Sequence, residues 1–364
     1  MKSIENAINY FLSGGEILAV EEISAGNINS TYKVVYSADG KKSAYVFQRI
    51  NTYVFKNPEQ LMDNVVRVIT HIDGKLDKND PDYDRRLLRF IRSPEGGYLY
   101  SDNEGGSWRA YVFVDGVTAH NFISDPKMFY EAGRGFGEFQ RQLFDFPADE
   151  LYETIPNFHN TKSRYGDFLA AVKEDKAGRA ESVKAEIDFL VERKDMMSAI
   201  VDMLESGELP VRVTHNDTKL NNVLLDDKSG KAICVIDLDT VMPGSSLYDY
   251  GDAIRYGANT AAEDEADLSK IKVDMELFKL FTKGFVEETS SSLEKNEIRH
   301  FPLGAKVMTC ELVMRFLTDY LNGDVYFKIA DPEHNLRRTR AQMKLLCEIE
   351  ANYDEMMSFV ESML

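Results

Sequence analysis

The sequence predicts an α+β protein built as two lobes, a strand-rich N-terminal lobe and a larger, mainly helical C-terminal lobe. Three observations carry this prediction. Alternating stretches rich in β-branched and aromatic residues fill the first third of the chain, helical periodicity fills most of the rest, and the change falls near Val114–Gly116. We therefore expect lobes at residues 1–114 and 115–364, each long enough to bury a core of its own.

The N-terminal third is predicted to form an antiparallel sheet with one inserted helix. Turn residues such as Ala38-Asp39-Gly40 separate its β-rich stretches. The helix is expected over about Asn57 to Ile72, because apolar residues between Leu61 and Ile69 repeat at helical spacing. The predicted strands are Ser30–Tyr36, Ser43–Gln48, Tyr98–Tyr100 and Arg109–Val114.

Beyond Asp115-Gly116 the periodicity is helical, with one β-rich interruption. The predicted helices are Asp125–Leu143, Arg164–Ala170, Lys184–Glu205, Asp274–Thr289, Ala305–Leu321 and Pro332–Ser358. The interruption contains the predicted strands Val211–Val213, Val223–Leu225 and Ala232–Ile236. Every strong chemical signal in the sequence lies beside these three strands.

Composition narrows the class of partner. The net charge of −18, from 43 basic and 61 acidic residues, argues against binding to nucleic acid or to an anionic membrane surface. The start lacks the pattern of a secretory signal, and the chain has no apolar run of membrane length. Its three cysteines are far apart and lack CxxC spacing. We expect a cytoplasmic protein, a monomer or a weak dimer, that acts on a small molecule.

The segment from His215 to Asn222, followed by Asp237, has the order of the catalytic loop and metal-binding aspartate of protein-kinase-type phosphoryl transfer. Asp217 suits the base that accepts the proton of a hydroxyl nucleophile. Asn222 and Asp237 offer hard oxygen ligands for Mg²⁺ on the phosphates of ATP. Lys219 would stabilise charge on the transferred group, and His215 would organise the loop. The alternative is a polar turn, but the flanking strands favour the catalytic interpretation.

Longer runs around this segment resemble the aminoglycoside phosphotransferase and choline kinase superfamily and, within it, the N-acetylhexosamine 1-kinases. The central matches are Leu209–Asn222, Ile236–Gly244 and Tyr248–Arg255. Further matches are Gly26–Asn29, Ile155–His159, Met314–Leu317 and Pro332–Arg340, so the likeness spans almost the whole chain. The resemblance implies a bilobal, protein-kinase-like fold.

The resemblance also implies a reaction and an acceptor site. The γ-phosphate of ATP would pass to the anomeric hydroxyl of N-acetylglucosamine or N-acetylgalactosamine, with Mg²⁺ as cofactor. Asp217 would also contact the sugar, together with Arg315 and Tyr326. On the residues alone, Arg315 in its apolar helical run needs a carboxylate or ligand oxygen, and a structural ion pair is an equal alternative. Tyr326 alone would be taken as a core aromatic residue.

One departure concerns the nucleotide. Kinase folds usually carry a strand lysine for the α- and β-phosphates, and here Gln48 stands at that place. Gln48 can donate a hydrogen bond but brings no charge. Glu59 and Asp63 are the nearest candidates for the helix carboxylate that normally pairs with this lysine. A non-catalytic nucleotide-binding pseudokinase is therefore an alternative, as is a kinase of a choline-, aminoglycoside- or homoserine-type alcohol.

Two further segments are assigned to the nucleotide and acceptor sites. The turn that contains Gly26 and Asn29 would cover the phosphates with backbone N–H groups, although an ordinary hairpin turn has the same signature. The resemblance leads us to expect a sugar-contacting histidine where Asn27 stands. Phe113 lies in a stretch that suits a hinge reading the adenine edge, or simply a buried strand.

Overall fold

The computed structural model of the chain describes residues 2–23 and 28–364. Its N-terminal part is a five-stranded antiparallel sheet in the order β1-β2-β3-β5-β4. The strands are β1 Gly15–Ile23, β2 Ser30–Ala38, β3 Lys41–Ile50, β4 Tyr100–Ser101 and β5 Ser107–Val112. The predicted antiparallel sheet is confirmed. Strand β1 was missed because it is a largely exposed edge strand with a bulge, so its residues do not alternate.

The two faces of this sheet have different partners. One face packs against helix α1, Lys2–Phe11, whose Ile8 and Phe11 join a core with Phe47 and Trp108. On the other face, Thr31, Gln48 and Arg109 form one row across three strands. Because successive residues of a strand point to opposite faces of the sheet, this polar row lies on the face away from the α1 core.

Helix α2, Pro58–Asp73, is the inserted helix and matches its predicted range. Asn57 caps its start by accepting the backbone N–H of Gln60. Its buried residues share an apolar core with Phe139 and Leu238 of the helical part. The side-chain amide of Asn64 donates to the carbonyl oxygens of Tyr152 and Val241 at 2.8 and 3.1 Å. Apolar packing and an amide thus tie this helix to the rest of the protein.

Most of the remaining chain is helical, which confirms the α+β class. The helices are α3 Pro126–Gln142, α4 Thr161–Glu174, α5 Lys184–Val191, α6 Lys194–Ser206, α7 Ser246–Gly257, α8 Met275–Thr289, α9 Lys295–Arg299, α10 Phe301–Leu321, α11 His334–Ala351 and α12 Tyr353–Glu361. The prediction was wrong in joining α5 to α6 and α11 to α12, since each pair is interrupted by a short break. At such a short break the apolar residues continue to face the core, and the helical spacing of apolar residues continues across it. The sequence pattern therefore did not reveal either break.

Two small sheets interrupt the helices and carry the predicted catalytic segment. Strand β8, Val223–Asp226, pairs with β9, Ala232–Val235, and with β6, Val117–Ala119. Strand β7, Arg212–Thr214, pairs with β10, Met242–Gly244. The division of the chain at residues 114 and 115 remains a prediction. Within the described residues, no helix has both the length and the apolar character needed to cross a membrane.

Helices α3 and α8 pack closely through glycines. A Cβ at Gly133 would overlap the carbonyl oxygen of Phe281, and one at Gly284 would overlap that of Tyr130. We expect Gly133→Ala to lower the free energy of unfolding by about 1–3 kcal/mol, because neither helix backbone can yield. Urea denaturation measures this. Gly166→Ala in α4 is the control: its Cβ meets nothing within 4 Å, so it should stabilise by about 0.5–1 kcal/mol. Equal effects of the two changes would contradict the packing argument.

Candidate active site

The loop at residues 215–222 starts directly after β7 and is anchored by helix α7. The buried carboxylate of Asp249 accepts the backbone N–H groups of His215 and Asn216 at 2.9 and 2.7 Å. It also accepts the side-chain amide of Gln140 at 2.6 Å, while its burial raises its pKa. Asn216 has a φ of 64°, a left-handed conformation that asparagine tolerates. These contacts fix the backbone immediately before Asp217.

His215 holds the loop against the metal-ligand segment. Its Nε2 lies 2.8 Å from the carbonyl oxygen of Ile236, and its Nδ1 accepts the backbone N–H of Asp217 at 3.3 Å. Phe136 and Phe139 pack edge-on against the ring. The predicted organising role of His215 agrees with these hydrogen bonds.

Asp217 and Lys219 form an ion pair in the cleft, with 2.6 Å between Oδ1 and Nζ. The side-chain amide of Asn222 donates to the Asp217 carboxylate at 3.1 Å and to its backbone carbonyl at 2.8 Å. Burial alone would raise the pKa of Asp217, but the charge and hydrogen bonds of Lys219 outweigh it and lower that pKa. The carboxylate is therefore ionised at neutral pH and able to accept a proton from a hydroxyl group.

Strand pairing brings Asn222 next to Asp237. The backbone N–H of Ile236 donates to the carbonyl oxygen of Asn222 at 2.9 Å, where β8 and β9 meet. Asp237 then adopts a left-handed φ of 59° and directly precedes the short 3-10 turn Leu238–Thr240. Its side chain is exposed to solvent, although the surrounding protein partly desolvates the carboxylate. That partial desolvation, reinforced by the charges of Asp239 and Asp217, raises the pKa of Asp237 to about 6.

The donor set of this pair fits a hard divalent cation. Within residues 2–23 and 28–364, no hydrogen bond or ion pair engages the Asp237 carboxylate, and the amide of Asn222 points its nitrogen at Asp217, which leaves its oxygen for a ligand. In the same part of the chain, no three His, Cys, Asp or Glu side chains are arranged to hold a metal by themselves. One carboxylate and one amide oxygen suit Mg²⁺, which commonly takes its other ligands from phosphates and water.

The residues predicted for the nucleotide have other partners in this structure. The amide of Gln48 accepts from Arg109 at 3.0 Å and donates to Thr31 at 3.2 Å. Phe113 uses its backbone N–H in a 3.0 Å bond to the carbonyl of Ala44, so that group is not free to read an adenine. Gly26 and Asn27 lie outside the described residues.

Asn29 and Arg109 meet at Asp239, two residues beyond the candidate metal ligand Asp237. The side-chain amide of Asn29 donates to one Asp239 oxygen at 2.6 Å, and the guanidinium of Arg109 lies 2.5 Å from the other. Both members of the ion pair are buried, with side-chain exposures of 3% and 4%. Neither Glu59 nor Asp63 takes the helix-carboxylate role in this structure, and Asp63 instead pairs with Arg67 of its own helix.

One of the predicted acceptor residues, Arg315, lies beside a buried carboxylate. Glu311, which is fully buried, lies 3.5 Å from both Arg164 and Arg315 and 3.0 Å from His159 Nδ1. His159 Nε2 is 3.3 Å from the carbonyl oxygen of Asn216, the residue before Asp217. The chain of contacts therefore links Arg315 to the catalytic loop.

Tyr326 lies on the loop between α10 and α11, and it is close to Arg315 of α10. Its ring centroid is 5.9 Å from the guanidinium carbon of Arg315, and it is 53% exposed, so it is not a core residue. Asp319 shapes the loop by accepting the backbone N–H groups of Val325, Tyr326 and Phe327. A buried carboxylate thus presents the tyrosine to solvent.

Sequence reasoning missed Arg109, Asp239 and Glu311 as parts of the site. Arg109 and Glu311 left a usable signal, since each is a charged residue within an apolar strand or helix and therefore needs a buried partner. Asp239 left no such signal. Its partners are remote in sequence, and no local pattern points to them.

The chain matches known proteins in its sequence profile and in its fold. Residues 19–272 match the sequence profile of the phosphotransferase enzyme family. A microcompartment-associated aminopropanol kinase superposes with a TM-score of 0.64 at 12% identity, covering 98% of this chain and 99% of that chain. Choline kinase from Cryptosporidium parvum Iowa II gives 0.56 at 16%, covering 94% and 92%. Plasmodium vivax ethanolamine kinase gives 0.55 at 15%, covering 89% and 82%.

The structural matches are too distant in sequence to identify a substrate, but they confirm the kinase-like fold expected from the catalytic segment. The profile match spans most of the chain and includes the loop at 215–222 and Asp237. This chain belongs to the phosphotransferase enzyme family, and it shares its fold with kinases of small molecules.

Proposed function

We propose that this protein is an ATP-dependent kinase that phosphorylates the anomeric hydroxyl of N-acetylhexosamines. The observation that carries the kinase assignment is the convergence of Asp217, Lys219, Asn222 and Asp237 at the ends of β7, β8 and β9. These groups supply a base, a cation and two oxygen ligands in one cleft. The identity of the sugar rests on the sequence resemblance.

Each residue has a defined part in the reaction. Asp217 accepts the proton of the acceptor hydroxyl as the hydroxyl oxygen attacks the γ-phosphorus of ATP, and the bond from that phosphorus to ADP breaks so that ADP leaves. Lys219, 2.6 Å from that carboxylate, holds it in place and lies close to the negative charge on the transferred group. Asn222 and Asp237 would hold Mg²⁺, which offsets the charge of the ATP phosphates when bound. His215 and Asp249 keep the loop in register throughout.

The charge of the acceptor pocket supports a neutral acceptor over an amine. Three aromatic rings, those of Phe158, Tyr326 and Phe327, surround the guanidinium of Arg315 at 5.4–5.9 Å. An aromatic cage of this kind is where a substituted ammonium group would bind. Here a side chain of the protein already fills it, and Arg164 adds a second cation nearby, so the two guanidinium charges outnumber the single carboxylate charge of Glu311. Choline-, ethanolamine- and aminoglycoside-type acceptors would meet repulsion.

The test is ADP release from Mg²⁺-ATP across a panel of N-acetylhexosamines, simple hexoses, choline, ethanolamine, aminopropanol, homoserine and aminoglycosides. We expect turnover with N-acetylhexosamines and an anomeric phosphate in the product by phosphorus NMR. Preference for an amine would contradict the acceptor assignment but leave the kinase assignment intact. ATP binding without turnover of any acceptor would favour a pseudokinase.

Arg315→Met should raise the KM for the sugar by about 10- to 100-fold, because a charged hydrogen bond to the acceptor contributes about 1.5–3 kcal/mol. The KM for ATP should stay unchanged, since the nucleotide half of the site is not touched. Initial-rate kinetics with each substrate varied in turn measures both. Arg340→Met, which removes an ion pair to Glu186 between α11 and α5, is the control and should change neither KM. An unchanged sugar KM in Arg315→Met would remove this residue from the acceptor site.

A further inference from the structure

The N-terminal sheet lacks a lysine where kinases usually carry one, yet the neighbouring strand carries a buried cation, Arg109. Arg109 of β5 lies directly opposite Gln48 of β3. We propose that Arg109 is a positioning residue: it holds Asp239, and through it Asp237, in the conformation that binds the metal. The proposal rests on the proposed function, because it assumes a divalent cation at Asn222 and Asp237.

Arg109 is fixed from three directions. Its Nη1 lies 2.5 Å from Asp239 and 3.6 Å from the sulfur of Met62 on α2, while its Nε donates to Gln48 at 3.0 Å. Gln48 is held in turn by Thr31 of β2. The glutamine at the lysine place thus orients the arginine. Because Arg109 is only 2% exposed, it is not available to contact phosphates directly.

Asp239 connects the fixed side chain of Arg109 to the candidate metal ligand Asp237. It lies inside the 3-10 turn Leu238–Thr240, which begins at Asp237. In the described residues, both side-chain partners of Asp239 come from the N-terminal part of the chain, Arg109 on one oxygen and Asn29 on the other. Asn29 is itself fixed by the backbone N–H of Asn51 at 2.9 Å. With so short a turn, fixing Asp239 fixes the backbone that carries Asp237.

If Arg109 acted only through its charge, Arg109→Met would change the affinity for the cation in the opposite direction. If Arg109 merely offset the charge of Asp239, then Arg109→Met would leave that carboxylate uncompensated near the metal and tighten cation binding. A positioning role predicts weaker binding, by about 10- to 100-fold, as is typical when a residue that orients a metal ligand is removed. The sign of the change therefore separates the two roles.

The experiment is titration of the full-length protein with Mn²⁺ in the presence of ADP, followed by electron paramagnetic resonance. Arg109→Met should weaken Mn²⁺ binding, and Arg109→Lys should weaken it less, because lysine keeps the charge but cannot reach both Asp239 and Gln48. In a double-mutant cycle with Asp239→Asn, the double variant should bind no more weakly than the weaker single variant. Fully additive losses would mean that Arg109 does not act through Asp239 and would overturn the proposal.

Two controls separate positioning from general destabilisation. Arg193→Met removes a bidentate ion pair with Glu350 remote in sequence from the loop, and should lower Tm without changing Mn²⁺ binding. Trp108, the one tryptophan in the sequence, reports whether the N-terminal sheet is folded in each variant. Unchanged or tighter Mn²⁺ binding in a folded Arg109→Met variant would overturn the proposal, and if that variant does not fold, unchanged binding in Arg109→Lys would do so. Absence of Mn²⁺–ADP binding in the wild-type protein would instead count against the proposed function.

Discussion

Replacing Asp217 by asparagine is expected to lower kcat by about 10²- to 10⁴-fold, the usual contribution of a general base. Asparagine has nearly the same shape, and its side-chain oxygen can still accept a hydrogen bond from Lys219. It cannot take the hydroxyl proton at neutral pH. The loop is held by Asp249 and His215, so its backbone should not change. The Kd for ATP should therefore remain close to that of the wild-type protein.

Rapid-quench measurement of the first turnover and calorimetric titration with ATP check this prediction. Asp227→Asn is the matched control, because Asp227 is an exposed aspartate on the turn after β8 that accepts a hydrogen bond from Thr118. It should leave kcat unchanged. Near-normal kcat in Asp217→Asn would place the base elsewhere in the cleft.

Asp237→Asn is expected to abolish most Mg²⁺-dependent turnover and yet stabilise the metal-free protein. The loss of activity should exceed the about 10- to 100-fold that follows removal of a residue behind a metal ligand. The gain in stability has an electrostatic cause, because this carboxylate is partly desolvated and lies near Asp217 and Asp239. Asparagine also accepts the left-handed φ of 59°, so the substitution adds no backbone strain.

The stability gain should depend on pH with a defined sign. The pKa of Asp237 is raised from its usual 3.8 to about 6 in the folded protein, so between these values the folded state holds the proton and the unfolded state does not. The wild-type protein therefore loses stability as pH rises through this window. Thermal unfolding without metal should give Asp237→Asn the higher Tm at pH 7.5, with the difference shrinking towards pH 4. Added Mg²⁺ with ADP should raise the Tm of the wild-type protein only.

The sequence was sufficient to predict that the residues of the candidate catalytic loop lie together, because they are neighbours along the chain. The loop between β7 and β8 contains His215, Asp217, Lys219 and Asn222. Asp237 lies two residues beyond β9, which pairs with β8, so order along the chain nearly determines proximity. The antiparallel sheet and helix α2 could also be predicted from the sequence, because most of the strands and this helix each show their characteristic spacing of apolar residues.

What the sequence did not reveal depends on contacts between remote segments. Arg109 and Asp239 carry complementary charges, but only the packing of the sheet against the 3-10 turn brings them together. The same holds for Glu311, whose partners His159, Arg164 and Arg315 come from different segments. An edge strand such as β1 escapes pattern analysis for another reason, because solvent on both faces removes the alternation. The acceptor is the least determined feature, as charge complementarity narrows its class without naming it.

The Gln48–Arg109–Asp239 network has a consequence for how this branch of the family can evolve. Restoring lysine at position 48 alone would set two cations against one buried carboxylate, and removing Arg109 alone would leave that carboxylate unpaired. Each single step towards the usual kinase arrangement is therefore expected to be deleterious. We therefore expect Gln48, Arg109 and Asp239 to be replaced together or not at all.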